Sequence, residues 1–397
     1  MPGGRGKVRA NSSWGGTEVR ARHLTMPGKI PAMGTDRNKV SAVLQLSNVT
    51  KSYAEMRALD GIDFSLPDNA YISLLGPSGS GKTTLLRVIA GFEEPDSGTI
   101  FFDGRSMAGI PPHNRGIGFV FQNFALFPHL SVEQNISFGL ENREVDPIRD
   151  RSIVRKRVAD IIELVGLSGL AGRAVTQISG GQRQRVALAR TLVTEPKMVL
   201  LDEPLGALDA NLRSRMRSEL RAIRERCGVT FLHVTGSEAE ALAMGDTVLV
   251  LDRGKIAQAG DSDTVYNRPA TPQVAQFLNS YNVFPGVVEQ DVFATKSGRL
   301  ALPSTGVIPS KSPAYAIRYD RIAIHPADKA AGPGEVRIEG AFIASEYSGA
   351  AINSFFTLDD GRVFEVESHL SHATPETYTP HGRYALIWKK EDAIVYA

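Results

Sequence analysis

Cysteine is nearly absent from this 397-residue chain, where Cys227 stands alone. A single thiol excludes an intramolecular disulfide and any cysteine-rich metal site, and it fits a reducing compartment. Long apolar runs are missing as well. None approaches the roughly 18 residues that a bilayer-spanning helix needs, so work at a membrane would require a transmembrane partner. Nor does one sign of charge dominate: 45 Lys and Arg against 43 Asp and Glu leave a formal +2, a balance that asks for no nucleic-acid partner. Hydrophobic residues make up 42% and charged residues 22%, which suits a globular protein with a full core, and the length suits two or three compact units.

Residues 1–43 depart from that balance. They are rich in Gly, Ser, Pro and Arg, and carry Arg5, Lys7, Arg9, Arg20, Arg22, Lys29, Arg37 and Lys39 against Glu18 and Asp36. The stretch has no apolar h-region of a secretory signal, and its composition predicts a disordered basic tail. From Leu44 the texture changes. Strand-like runs at 44–50, 71–75, 98–102, 117–121, 198–201, 229–234 and 247–251 alternate with helical patterns at 82–90, 151–164, 182–192, 210–226 and 238–244. Alternation of this kind predicts an α/β domain with a largely parallel sheet, its first two strands forming an antiparallel addition. Beyond about residue 283 the helical patterns stop. Short β-type runs with Gly and Pro punctuation follow, the pattern of a small all-β barrel.

The first chemical motif is Gly76-Pro77-Ser78-Gly79-Ser80-Gly81-Lys82-Thr83, placed between an apolar strand and a helix. It matches the phosphate-binding pattern in the context that gives the pattern meaning. Glycines let backbone N–H groups turn inward around a phosphate, and the helix N-terminus adds positive potential. Lys82 would meet the β- and γ-phosphates of a nucleotide and Thr83, with Thr84 beside it, would complete the cradle, the Thr83 hydroxyl serving Mg²⁺. Far downstream, the apolar run 198–201 ends in Asp202 and Glu203. Asp202, at the strand end, is expected to hold Mg²⁺, and Glu203, on the alternate side, to polarise the attacking water.

Shortly before that run, Ile178-Ser179-Gly180-Gly181-Gln182-Arg183-Gln184-Arg185 leads into an amphipathic helix. It resembles the signature motif of ABC transporters, with Ile in place of the usual Leu, and residues 44–282 resemble an ABC nucleotide-binding domain with its helical subdomain nearly end to end. Two glycines before a helix form an anion site. In this family such a site caps the γ-phosphate held by another copy, so the resemblance implies a dimer with ATP held between phosphate loop and Ser179, Gly180, Gly181 and Gln182. It further implies that Tyr53 stacks on adenine and that Gln122 senses Mg²⁺ and the γ-phosphate while facing a permease. The apolar stretch 123–128 would sit in the permease groove, and Leu205-Gly206-Ala207-Leu208-Asp209 would cross the dimer interface.

At one place the pattern breaks. The family carries a switch histidine, followed by Asp, after the strand at 229–234; here Gly236 and Ser237 stand in those positions. His233 lies three residues earlier, on the opposite side of the strand and about 10 Å away. ATP binding is therefore expected with slowed hydrolysis. The β-rich segment 283–397 resembles the TOBE-type accessory barrel of importer ATPases, its Arg318-Tyr319-Asp320-Arg321-Ile322 replacing the usual R-P-E-x-I. Residues 112–140 resemble the polyamine and ferric-iron branch most closely, then the sugar and sulfate branches. The implied partners are a second copy, integral membrane permease subunits and, indirectly, an extracytoplasmic solute-binding protein. The implied location is peripheral, on the cytoplasmic face of the inner membrane. Polyamine is the leading solute class, with ferric iron, sugar, sulfate or phosphonate as alternatives; a soluble ABC regulator without a permease is the alternative of another class.

Overall fold

The computed structural model describes residues 42–142, 147–206, 208–304, 307–371 and 377–397. Apart from Ala42 and Val43, the basic tail expected over 1–43 lies outside them, as does Ala207. Strands β1 (Ala42–Tyr53) and β2 (Met56–Pro67) form an antiparallel hairpin. Strand β3 (Tyr71–Leu75) then enters the core with every side chain buried and feeds helix α1 (Lys82–Ala90). Strands β4 (Ser97–Phe102) and β5 (Arg105–Ser106) return to the hairpin, giving the sheet order β2-β1-β4-β5. The run at 98–102 thus belongs to the antiparallel addition, since a half-exposed strand with buried Ile100 and Phe102 needs only one covered face.

The main sheet is completed by β6 (Ile117–Val120), β7 (Met198–Asp202), β8 (Thr230–Thr235), β9 (Thr247–Asp252) and β10 (Lys255–Gly260), in the order β10-β9-β3-β8-β7-β6. All of its pairs are parallel except β9 with β10. Continuous apolar runs such as Met198-Val199-Leu200-Leu201 suit strands buried on both faces. One face packs on α1 and the hairpin sheet through Leu74, Leu86, Ile89, Leu200 and Leu232. The other carries α2 (Val132–Glu141), α3 (Arg151–Leu164), α4 (Gly180–Leu192) and α5 (Ala210–Cys227), whose shared core includes Ile136, Val158, Leu188, Leu201 and Leu220. Helix α6 (Glu238–Met244) follows β8, and α7 (Ser262–Asn267) and α8 (Pro272–Phe277) follow β10. Among the described residues no helix is long and apolar enough to cross a membrane.

From Tyr281 onward the described chain is all β. Strands β11 (Tyr281–Glu289), β12 (Val292–Thr295), β13 (Gly298–Ala301), β14 (Val307–Ile308) and β15 (Ala314–Arg318) share one sheet with the last strand. Strands β16 (Ala323–Pro326), β17 (Glu335–Tyr347), β18 (Ala351–Thr357), β19 (Val363–His369) and β20 (Arg383–Lys389) form a second. The last strand, β21 (Ile394–Tyr396), returns the C-terminus to β15. Phe284, Tyr315, Phe356, Phe364 and Trp388 fill the core, the indole donating to the Tyr315 hydroxyl at 3.0 Å. A further cluster joins Val250, Val265 and Leu278 to Tyr281, Ala316 and Tyr396. Arg318 strengthens that junction: its guanidinium lies 4.7 Å from the Tyr266 ring centre, donates to Asn267 and forks onto Asp320.

Candidate nucleotide site

The carboxyl ends of parallel strands in an open α/β sheet form its usual ligand edge. Here β3, β6, β7 and β8 bring their following loops to that edge. The loop from Gly76 to Gly81 carries φ +77° at Gly79 and +106° at Gly81, and a Cβ on Gly81 would stand 2.4 Å from the Ala58 carbonyl oxygen. Only glycine fits there. Lys82 closes the loop by donating from Nζ to the carbonyls of Gly76 (2.8 Å) and Pro77 (2.9 Å). Burial lowers its pKa, an effect opposed by Glu203 and Asp202. Ser80 is 3% exposed and its hydroxyl has no protein partner, while Ser78, Gly79 and Thr83 face solvent. Pro77 and Thr84 are partly buried. An orphaned hydroxyl in a glycine cradle, with an ammonium inside it, fits a phosphate chain.

Across the cradle the Thr83 hydroxyl approaches Asp202 Oδ1 at 3.4 Å. Burial, and then the charge of Glu203, raise the Asp202 pKa, a cost that a bound cation would relieve. Hydroxyl and carboxylate oxygens are the hard donors Mg²⁺ prefers, so Thr83 and Asp202 fit that ion. One residue on, Glu203 adopts φ +46° and accepts from Gln122 Nε2 at 3.1 Å through Oε2. The turn off the sheet carries its carboxylate away from Asp202's partners and onto the Gln122 loop. The structure thus brings Lys82, Thr83, Asp202, Glu203 and Gln122 to one edge.

Among the described residues no hydrogen bond joins Tyr53 or the signature stretch to this cluster. Tyr53 ends β1 with 37% of its surface exposed, and Lys51 Nζ sits 5.6 Å from its ring centre. Ser179 caps α4: its hydroxyl accepts from Gln182 N at 3.3 Å, and the Gln182 side chain returns an acceptor to Ser179 N at 2.9 Å. Gly180 faces Leu208, in the loop before α5, and Gly181 faces Leu212, at the start of that helix.

Beyond β8, Gly236 is exposed, lies outside the left-handed region, and has nothing within 4 Å of where a Cβ would be. Ser237 is committed elsewhere. Its hydroxyl accepts from Glu240 N at 3.4 Å, and its N–H donates to Thr235 Oγ1 at 3.0 Å. His233 is fully buried, bonded through Nδ1 to the Tyr71 hydroxyl at 3.1 Å. Burial pushes its pKa down to about 3, so its imidazole is neutral and the 3.8 Å approach to Glu240 is no ion pair. Sequence reasoning missed four side chains that organise these loops. Glu240, 4% exposed, accepts from Thr235 Oγ1 at 2.7 Å and faces Arg213, which donates to the Leu208 carbonyl. Arg190 holds the loop after Gln122, and Asn135 bonds both polar groups of the Phe127 backbone. The available signal for Asn135 was the capping box of Ser131 and Gln134, which opens an unpredicted helix.

Comparison with known proteins agrees with this geometry. The ABC transporter family model matches residues 59–206. The chain is 43% identical over 252 residues to the spermidine/putrescine import ATP-binding protein PotA of Clostridioides difficile (strain 630), covering 64% of this chain and 72% of that one. It is 42% identical to the putrescine transport ATP-binding protein PotG of Escherichia coli (strain K12), over 73% and 75% of the two chains. To the uncharacterized ABC transporter ATP-binding protein YdcT of Escherichia coli (strain K12) it is 37% identical over 88% and 96%. Among solved structures, the post-hydrolysis dimer of the ATP-binding cassette MJ0796 with ADP and Pi superposes with TM-score 0.50 at 30% identity, covering 55% of this chain and 98% of that one. The cbiO1 protein of Clostridium perfringens superposes at 0.53 and 30% identity, over 60% and 94%. The chain belongs to the ATP-binding proteins of ABC transporters, ATPases that take ATP with Mg²⁺.

Proposed function

We propose that this chain drives solute import as an ATP-sandwich dimer, docked on the cytoplasmic face of the inner membrane against separate permease subunits, and that its solute is a polyamine. The observation that carries the reading is the gathering of Lys82, Thr83, Asp202, Gln122 and Glu203 on one sheet edge, while Ser179, Gly180, Gly181 and Gln182 cap a separate helix. A second copy's signature stretch completes each site. Gly76, Pro77, Ser78, Gly79, Ser80, Gly81 and Lys82 wrap the phosphates, Thr83 and Thr84 extend the cradle, and Tyr53 receives the adenine. Thr83, Asp202 and Gln122 would hold Mg²⁺, which when bound would supply charge for the departing phosphate. Glu203 takes the proton of the attacking water, and Gln122 orients it. Gly236 offers no side-chain donor to the γ-phosphate, so turnover is slow.

Beside Gln122, Phe92 and Phe121 are 47% and 37% exposed and pack on Phe119, edge-on and tilted, at centroid distances of 5.3 and 4.4 Å. An exposed aromatic cluster adjoining the catalytic loop suits a helix inserted from a permease. The names of PotA and PotG support polyamine as the solute, delivered by an extracytoplasmic binding protein. The test is uptake into membrane vesicles carrying this chain with its permease and binding protein. ATP-dependent uptake of radiolabelled putrescine or spermidine is expected, each competing with the other. Uptake of ferric iron, sugar or sulfate with no polyamine competition would refute the assignment.

A further inference from the structure

The loop that follows Gln122 is held in a conformation its residues do not favour. Phe124 has φ +63° and Ala125 φ +44°, two consecutive residues with a Cβ in the left-handed region, where steric cost falls on everything but glycine. Something must hold them there. Arg190, on α4, donates from Nη1 to the Ala125 carbonyl at 2.7 Å and from Nη2 to the Phe124 carbonyl at 3.0 Å. Its guanidinium also lies 5.6 Å from the Phe127 ring centre. Two N–H groups on separate nitrogens of one planar guanidinium fix the directions of both carbonyls together, which the rotating ammonium of a lysine does not. Burial lowers the Arg190 pKa, and the charged donors strengthen both bonds in that partly dry setting. Phe124 N in turn bonds the Phe121 carbonyl at 2.9 Å, closing a turn across Gln122.

We infer that Arg190 is a positioning residue for ATP hydrolysis: by holding the left-handed backbone at Phe124 and Ala125, it keeps Gln122 against Glu203. The same helix begins at the Ser179 cap, so the grip ties the catalytic loop to the element that meets the partner's nucleotide. Asn135 pins the loop's far end at Phe127 from α2, which leaves the Gln122 end to Arg190. The inference rests on the reading of Gln122 and Glu203 proposed above.

The test uses the purified full chain. Arg190→Met is expected to lower kcat about tenfold while the KM for ATP stays within about twofold, because the phosphate loop is untouched. Amides of residues 122–127 should exchange hydrogen faster. Arg190→Lys, which keeps the charge but loses the planar fork, should fall between, and it carries the test if the Met variant does not fold. The deciding experiment adds Ala125→Gly. In the parent it should leave kcat within about twofold; in the Arg190→Met background it should restore most of the lost rate, since glycine adopts the positive φ unaided. Undiminished kcat in Arg190→Met, unchanged exchange at 122–127, or a lost rate that Ala125→Gly fails to restore in a folded, ATP-binding protein would each overturn the inference. Gln122→Ala separates the two ideas. If it leaves kcat unchanged while exchange at 122–127 still rises in Arg190→Met, the role given to Gln122 is wrong and the Arg190 grip stands.

Discussion

Replacing Gly236 by histidine should make this ATPase faster. The position accepts the change: it is exposed, its φ is outside the left-handed range, and a Cβ there meets nothing within 4 Å. The backbone around it is fixed independently, since Thr235 Oγ1 bridges Ser237 N and Glu240. Neither Ser237 nor His233 stands in for such a donor, because the Ser237 hydroxyl caps α6 and His233 is buried against Tyr71. One hydrogen bond to a charged phosphate contributes about 1.5–3 kcal/mol. If that bond forms mainly in the transition state, the gain in kcat is roughly ten- to a hundredfold or more. The assay is phosphate release at saturating Mg-ATP, with a fluorescent ATP analogue confirming equal affinity in both proteins. Equal kcat at equal affinity would refute the reasoning, and would mean that another group, such as Gln122, already does this work.

Two further substitutions probe other parts of the site. Glu203→Gln keeps an acceptor for Gln122 but no base; kcat should fall by about 10²–10⁴ with ATP affinity within about twofold, and retained turnover would remove Glu203 from the reaction. Glu238, beside the switch position, has its pKa raised to about 7 by burial. Between pH 4.5 and about 7 the folded state keeps a proton that the unfolded chain releases, so stability declines as pH rises through that window. Glu238→Gln should therefore melt above the parent at pH 8 and with it near pH 4.5; a pH-independent difference would contradict this.

Much of the fold was legible because its signals are local. Helices α1, α3 and α6 occupy the spans their periodicity predicts, and α4 starts two residues earlier because Ser179 caps it. The run at 98–102 reads as a strand, but nothing in its pattern says that it pairs antiparallel with β1. Pairing is decided by tertiary packing. Helix α2 announces itself only through the Ser131 and Gln134 capping box at its start. At the site, glycines and the strand-end carboxylates announce themselves by spacing. Arg190, Arg213 and Glu240 do not, because their roles lie in backbone carbonyls and partners far along the chain. A positive φ at Phe124 or Glu203 has no sequence signature either.

In the proposed ATP sandwich two copies close on ATP, each lending its signature stretch to the other. Light scattering on size-separated Glu203→Gln protein, with and without Mg-ATP, tests it most directly. A monomer is expected without nucleotide, twice the 42.9 kDa chain mass with it, and return to the monomer when Ser179→Arg is added. A monomer at saturating Mg-ATP, or a dimer indifferent to Ser179→Arg, would contradict it.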